Sequence, residues 1–321
     1  MVVPAAGRSR AVGDVRIRGH EFRQQMRGTM AQARSRADEA PPQFYQWPMV
    51  LDVKGHRHAG IRAAPGCSFA RKAMSVPLRA GEFADAVSDY PIVFTEAQTP
   101  VPLAILGYDA DDNLFVGADG SWRLEAYLPL YVRRYPFIGL ERVASGGKSE
   151  LSLGIDVSSD LFVPRAREGL DLRLFDDAGQ LTEVGRSGAA LCSAWSEGES
   201  DSVAFAEALV ENRLLQPGRI EMKLADGHNR LVDGFLAVNE ELLRKLPDAI
   251  VLDWHQRGWL DCVILHLASQ HNWARLATIG AMARRLRASL EAKYLVADEW
   301  RGAEGLPRSE PLWPIATWPG I

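Results

Sequence analysis

From Phe44 onward, short apolar runs alternate with turn residues, a pattern that predicts strands and hairpins. Residues 44–53 read as a first strand interrupted by Pro48, and residues 60–64 and 69–76 as further strands. Residues 78–87, with Phe83, Ala86 and Val87 at helical spacing, predict a short helix ended by Pro91. The β-branched and aromatic run Ile92, Val93, Phe94 and the run 103–108 predict two strands joined by a loop containing Pro100 and Pro102. Three hairpins follow: 113–116 with 122–127 around Asp119-Gly120, 172–175 with 180–184 around Asp176 to Gly179, and 220–224 with 230–238 around Asp226-Gly227. Residues 201–215 read as a helix behind an Asp/Ser cap, and residues 239–246 as a short helix capped by Asn239. Glu240 and Glu241 then occupy the first turn, where acids favour the helix dipole. Residues 258–295 are helix-compatible throughout, with Gly280 marking a kink or a point of close packing. Residues 298–321 hold Pro307, Pro311, Pro314 and Pro319 and read as an extended tail pinned by Trp300, Trp313 and Trp318. The fold class is α+β: mainly antiparallel hairpins with inserted short helices and a long C-terminal helix.

Composition narrows the classes. At 321 residues and 47% hydrophobic the chain buries a large core, and it contains no apolar stretch of the ~18 residues that a membrane-spanning helix needs. The net charge of −4 is uneven: residues 1–42 carry eight arginines against four acids, which leaves −8 on the rest. An acidic body repels polyanions, so nucleic acid is not the expected partner. Arginine outnumbers lysine 31 to 6, a skew that fits genomic base bias. The arm 1–42 is glycine-interrupted, lacks the apolar centre of a secretory signal and reads as a disordered basic tail; Met26, Met30 and Met49 offer alternative starts. Three dispersed cysteines, Cys67, Cys192 and Cys262, form no CxxC motif and fit a reducing compartment. The expected location is therefore the cytoplasm, with the cell surface, reached by a dedicated exporter, as the alternative.

The stretch from Asp112 through Leu114, Phe115, Val116, Gly117, Asp119 and Gly120 to Trp122, followed by Tyr127, Pro129, Tyr131, Arg133, Arg134, Tyr135 and Pro136, resembles the hallmark of the SapC family of bacterial proteins. His58, Phe69-Ala70, Val76-Pro77-Leu78, Glu82-Phe83, Tyr90 to Phe94, Leu174 to Asp176, Gly234-Phe235 and the segment 258–276 with His266, Ser269 and Asn272 agree in order. The resemblance spans residues 44–290, whereas residues 190–200 align poorly. It implies an α+β domain over 43–297 and an accessory role connected with a bacterial surface layer or outer-membrane uptake system, and it supplies no catalytic residue.

Several side chains invite chemistry. Arg133 and Arg134, read on an extended strand among Tyr127, Tyr131 and Tyr135, point to opposite faces. Either they form ion pairs with Glu125, Glu141 or Asp156, or one clamps an anion with tyrosine support. His266 shares a helix face with Ser269, Gln270 and Trp273 and is either a buried hydrogen-bonding residue or a general base beside Ser269. His56 and His58 would share a strand face and with His266 complete three metal ligands, but no partner spacing supports a metal. Asp109 to Gly120 departs from a calcium loop at its sixth and twelfth positions, and Gly146-Gly147-Lys148-Ser149 lacks the first glycine of a phosphate cradle. No cofactor is expected.

The expected function is thus a non-catalytic accessory or binding protein. The alternative is an enzyme acting on an acidic small molecule or peptide, with His266 as acid/base beside Ser269, Arg133 or Arg134 as the anion clamp, and Tyr131, Tyr135, His58 and Asn272 as further ligand-binding residues. Protein partners or self-association through the tail tryptophans Trp300, Trp313 and Trp318 form a third expectation.

Overall fold

The computed structural model describes residues 41–63, 66–109, 112–143, 149–224, 227 and 229–303. Residues 1–40 of the basic arm, residues 304–321 and the side chains of Trp300, Trp313 and Trp318 lie outside the described residues. In chain order the elements are β1 (Pro48–Val50), the single turn α1 (Val53–His56), β2 (Gly60–Arg62), β3 (Ser75–Pro77), the single turn α2 (Phe83–Ala86), β4 (Ile92–Thr95) and β5 (Pro102–Ile105). Then come the single turn α3 (Leu130–Arg133), β6 (Phe137–Val143), β7 (Ser149–Asp156), β8 (Phe162–Val163), β9 (Asp171–Arg173) and the long helix α4 (Glu183–Glu211). The hairpin β10 (Leu215–Lys223) and β11 (Asn229–Val238) leads into the short α5 (Glu240–Leu243), then α6 (Asp248–Arg257), α7 (Trp259–Ser269) and α8 (Asn272–Ala303).

The continuous apolar run of β4 explains its place. Such a strand is stable only when both faces are covered, and every residue of β4 and of β5 is buried. These two strands sit inside a five-stranded antiparallel sheet of order β10-β11-β4-β5-β3. A second sheet has the order β1-β7-β6 and a third β8-β2-β9. The large core joins the five-stranded sheet to α2, α3, α7 and the second half of α4, with Phe83, Phe94, Phe205 and Phe235 fully enclosed. A smaller core of Ala59, Ile61, Phe137, Ile155, Leu174, Phe175 and Cys192 lies under the other two sheets.

Helix α4 belongs to both cores. Its buried positions Gly185, Gly188, Cys192 and Trp195 recur every three or four residues, and Ser202, Phe205 and Leu209 continue the stripe. Glycine at 188 is required by close approach: a Cβ there would lie 2.6 Å from the Phe137 ring of β6. Gly188→Ala gains about 1 kcal/mol of helix propensity but overpacks Phe137, which costs about 1–3 kcal/mol. The expected result is a lower urea midpoint; a midpoint at or above that of the native chain would show that Phe137 yields freely.

The α+β class read from sequence holds, and so does the hairpin of β10 and β11, although Asp226 of its turn lies outside the described residues. Other elements differ. Only Pro48–Val50 of the first predicted strand is extended, because Asp52 accepts from the Gly55 N–H (2.8 Å) and caps α1. The strand predicted over 69–76 contracts to β3, preceded by a 3₁₀ turn at Ser68–Ala70. Two of the three hairpins shrink to single bridges, Val116 with Trp122 and Phe175 with Leu181. Gly120 and Gly179 nevertheless take the left-handed φ values of 85° and 79° that their turns demand. The helix predicted at 201–215 starts at Glu183 and ends at Glu211, and Leu215 already belongs to β10.

The long C-terminal helix is two helices, α7 and α8, broken at Gln270 and His271 and preceded by α6. Gly258, at φ 75°, ends α6 in the left-handed conformation typical of that position. Helix α8 runs unbroken past Gly280, which lies against the Tyr108 hydroxyl, so close packing rather than a kink is the role of that glycine. It also extends to Ala303, into the segment predicted to be an extended tail. Among the described residues no helix is long and apolar enough to cross a membrane.

Candidate functional site

The tyrosine- and arginine-rich segment is positioned by a buried carboxylate. Glu82 accepts from the Arg79 N–H (2.8 Å), the Tyr127 hydroxyl (2.9 Å) and the Leu130 N–H (2.7 Å), which fixes the first residue of α3. Burial pushes its carboxyl above the usual range, and these donors oppose that rise. From this anchor the single turn of α3 sends Tyr131 inward and Arg133 outward, with Arg134 closing the turn and pointing inward again. The predicted extended strand is therefore corrected to a helical turn; the opposite orientation of the two arginines survives for a different geometric reason.

Arg134 is 5% exposed and its guanidinium is enclosed by rings: Tyr131 at 4.7 Å, Trp195 at 4.8 Å and Tyr45 at 5.6 Å from carbon to centroid. Its Nε has no hydrogen-bond partner among the described residues. The rings are themselves held, since the Tyr45 hydroxyl donates to Phe137 O (2.6 Å) and the Tyr131 hydroxyl to Gln43 O (3.0 Å). Burial raises the hydroxyl pKa of Tyr131 to about 12, with Arg134 pulling the other way. Neither Arg133 nor Arg134 forms an ion pair with Glu125, Glu141 or Asp156 among the described residues, so that expectation is corrected. Asp156 is saturated instead by Gln46 N (2.8 Å), Trp47 N (3.0 Å) and Ser158 N and Oγ (3.0 and 2.6 Å).

A second buried guanidinium, unforeseen in the sequence, completes the cluster. Arg79 lies 3.9 Å over the Trp195 ring, donates from Nε to Trp195 O (3.0 Å) and pairs with Glu199 at 3.4 Å. Burial lowers its pKa to about 10, while Glu199 acts to raise it. Trp195 thus serves two cations, and α4 supplies both the ring and the acid one turn beyond it. The signal in the sequence was a lone arginine inside the otherwise apolar run from Val76 to Ala80. Cys192 sits beneath the cluster with its thiol pushed up to about 11 by burial.

His266 and its neighbours form a separate polar knot where α7 meets the sheet. His266 is fully buried, and its Nε2 accepts from the Val238 N–H at the end of β11 (3.0 Å). The proton therefore resides on Nδ1, which faces the Ile92 carbonyl without a well-formed hydrogen bond. Burial holds the imidazole neutral down to about pH 4. Ser269 Oγ donates to His266 O (2.6 Å) and accepts from Ile92 N (3.0 Å), so it is spent on backbone and does not touch the imidazole. Gln270 Nε2 donates to Ile92 O (2.8 Å), and Asn272 Nδ2 donates to Val87 O (2.7 Å) and Tyr90 O (3.0 Å). These side chains tie the junction of α7 and α8 to the start of β4.

The residues named from sequence are thus not one constellation. Arg134, Tyr131 and Tyr135 come together, with Tyr135 packed on Phe69 at 4.1 Å and Tyr45 at 5.2 Å. His266, Ser269 and Asn272 come together elsewhere, and no hydrogen bond, ion pair or ring contact between described residues joins the two groups. His58 is exposed beside the small third sheet. His56 ends α1, so the two histidines do not share a strand face, a second correction. Among the described residues no three His, Cys, Asp or Glu side chains converge as metal ligands would.

The family model described as SapC matches residues 51–276 of the chain. No curated protein and no solved structure matches it. The matched span covers more than half of the chain and contains Arg79, Arg134, Trp195, His266, Ser269 and Asn272; only Tyr45 of the two clusters falls outside it. The chain belongs to the SapC family.

Proposed function

We propose that this SapC-family chain is a non-catalytic accessory or binding protein serving a bacterial surface layer or outer-membrane uptake system. The observation that supports the non-catalytic part is the state of the His266–Ser269 pair. A general base needs an accessible lone pair within reach of the proton it removes. The His266 lone pair is occupied by the Val238 N–H, and the Ser269 hydroxyl is engaged both as donor and as acceptor by backbone. Both side chains are 0% exposed. The Arg134 cage is likewise filled by the chain's own side chains, and it supports a role in holding α3 to α4.

The test is direct. Full-length protein incubated with a fluorophosphonate probe, then digested and analysed by mass spectrometry, is expected to carry no label at Ser269. Turnover of p-nitrophenyl esters and of acidic peptides is expected to match that of the double variant His266→Gln/Ser269→Ala. Label at Ser269, or turnover that the folded double variant loses, would establish the enzyme reading instead.

A further inference from the structure

The five-stranded sheet has two edges, and they are treated differently. At β3 the Ser75 carbonyl accepts from Gln43 Nε2 (3.2 Å) and α3 packs against the strand. At the other end β10 pairs with β11 alone among the described residues. An unpaired edge presents a row of free N–H and C=O groups to any extended chain. The first half of this edge is blunted, because Pro217 lacks an N–H and the register shifts between Gly218 and Arg219. The open part is 219–223.

Helix α8 runs beside that open part. Ala274, Ala277, Thr278, Ala281, Met282 and Arg285 recur every three or four residues and face β10 across a groove of about 640 Å³. Five extended residues span roughly 17 Å. The helical rise from Ala274 to Arg285 is roughly 16 Å, so strand and helix offer walls of equal length. Trp273, stacked on Phe235 at 5.5 Å, stiffens the groove floor, and the alanines leave room for incoming side chains. Met282 remains 61% exposed. The charge at the rim is opposite in sign to that of the chain: Lys223 and Arg285 against Glu221, in a protein of net charge −4.

We propose that the groove between β10 and α8 is a strand-addition site for an extended acidic peptide segment of a partner protein. The peptide backbone pairs with 219–223, its acidic side chains meet Lys223 and Arg285, and its alternate apolar side chains enter between Ala277, Ala281 and Met282. A second copy of the chain is the poorer occupant. Two-fold antiparallel pairing that uses the whole open edge centres on Glu221, setting Glu221 opposite itself and Arg219 opposite Lys223, and like charges directly opposed destabilise a strand pair. The inference stands on this edge and helix alone and does not depend on the state of His266 and Ser269.

The experiment uses the full chain and a fluorescein-labelled heptapeptide alternating valine and glutamate, with a valine–lysine peptide as its counterpart. Fluorescence anisotropy is expected to rise saturably with the acidic peptide and not with the basic one. Arg285→Glu is expected to weaken binding at least tenfold and Ala277→Trp, at a partly exposed position, to abolish it, with both variants keeping the native circular dichroism spectrum. Hydrogen exchange at 219–223 should slow on binding. Absence of saturable binding, equal binding of the basic peptide, or unchanged affinity in both variants would overturn the proposal. So would a concentration-dependent dimer, seen by light scattering, that Ala277→Trp dissolves, because it would give the groove to a second copy.

Discussion

Arg134→Ala is expected to lower the unfolding free energy by about 4 kcal/mol, while Arg134→Met loses about 1 kcal/mol. The asymmetry follows from what surrounds the guanidinium. Truncation to alanine removes contacts to Tyr45, Tyr131 and Trp195 together and leaves a void between α3 and α4. A desolvated cation–ring contact contributes roughly 1–2 kcal/mol, and the void adds to the loss because a close-packed interior relaxes only in part. Methionine keeps most of the volume and removes a charge that, among the described residues, pairs with no carboxylate and whose Nε finds no partner. Arg133→Ala, at the exposed neighbouring position, is expected to stay within about 0.5 kcal/mol of the native chain. Urea titration at pH 7, followed by near-ultraviolet dichroism of the packed aromatic rings, measures all three. An alanine variant as stable as the methionine variant would show that the rings close on themselves and that the cation is incidental.

The sequence made visible those elements whose apolar residues are large or β-branched. The run Ile92 to Phe94 was legible as an unbroken β-branched and aromatic run, and the hairpin of β10 and β11 as two apolar runs flanking Asp226-Gly227. The first half of α4 was not, because its buried stripe is Gly185, Gly188 and Cys192, residues that carry little hydrophobic signal; Gly188 admits Phe137, and Gly185 lies against Leu174 and Leu181. The break between α7 and α8 was hidden for a related reason. Nothing in Gln270 or His271 forbids a helix; the break is set by Ser269, Gln270 and Asn272 bonding to the backbone around β4, which only tertiary structure reveals.

The same division governs the site residues. A histidine three residues before a serine on a helix reads equally as a reacting pair or as two structural groups, and the partner that decides, the Val238 N–H, lies 28 positions away. Arg134 stands out in the sequence through its tyrosine neighbours, but its setting depends on Trp195, 61 positions further along the chain. A buried arginine enclosed by rings has no local sequence signature: Tyr45 comes from the segment before β1, Tyr131 from α3 and Trp195 from α4.

His266 offers the second large effect, and it appears as a pH dependence. Burial depresses its pKa from the usual 6.5 to about 4 in the folded chain. Between those values the unfolded chain binds a proton at this site and the folded chain does not, so stability rises with pH across that window. The contribution is complete above pH 6.5, diminishes as pH falls to about 4 and is constant below it. A depression of this size corresponds to about 3 kcal/mol. Among the described residues no acid or base pairs with the imidazole; Phe94 packs against it at 5.1 Å, and the Val238 N–H occupies its lone pair. His266→Gln keeps an acceptor near Val238 and carries no titrating group. It is expected to be about 1–2 kcal/mol less stable than the native chain at pH 7.5, and its loss of stability between pH 7.5 and pH 4 should be smaller than that of the native chain by about 3 kcal/mol. The acids with lowered pKa, Asp52, Asp119 and Asp171, lie at the surface and titrate alike in both proteins, so they cancel in the comparison. Urea midpoints at the two pH values measure the difference. Equal acid sensitivity in both proteins would mean that water or a carboxylate reaches the imidazole, and with it the proton that a general base would need.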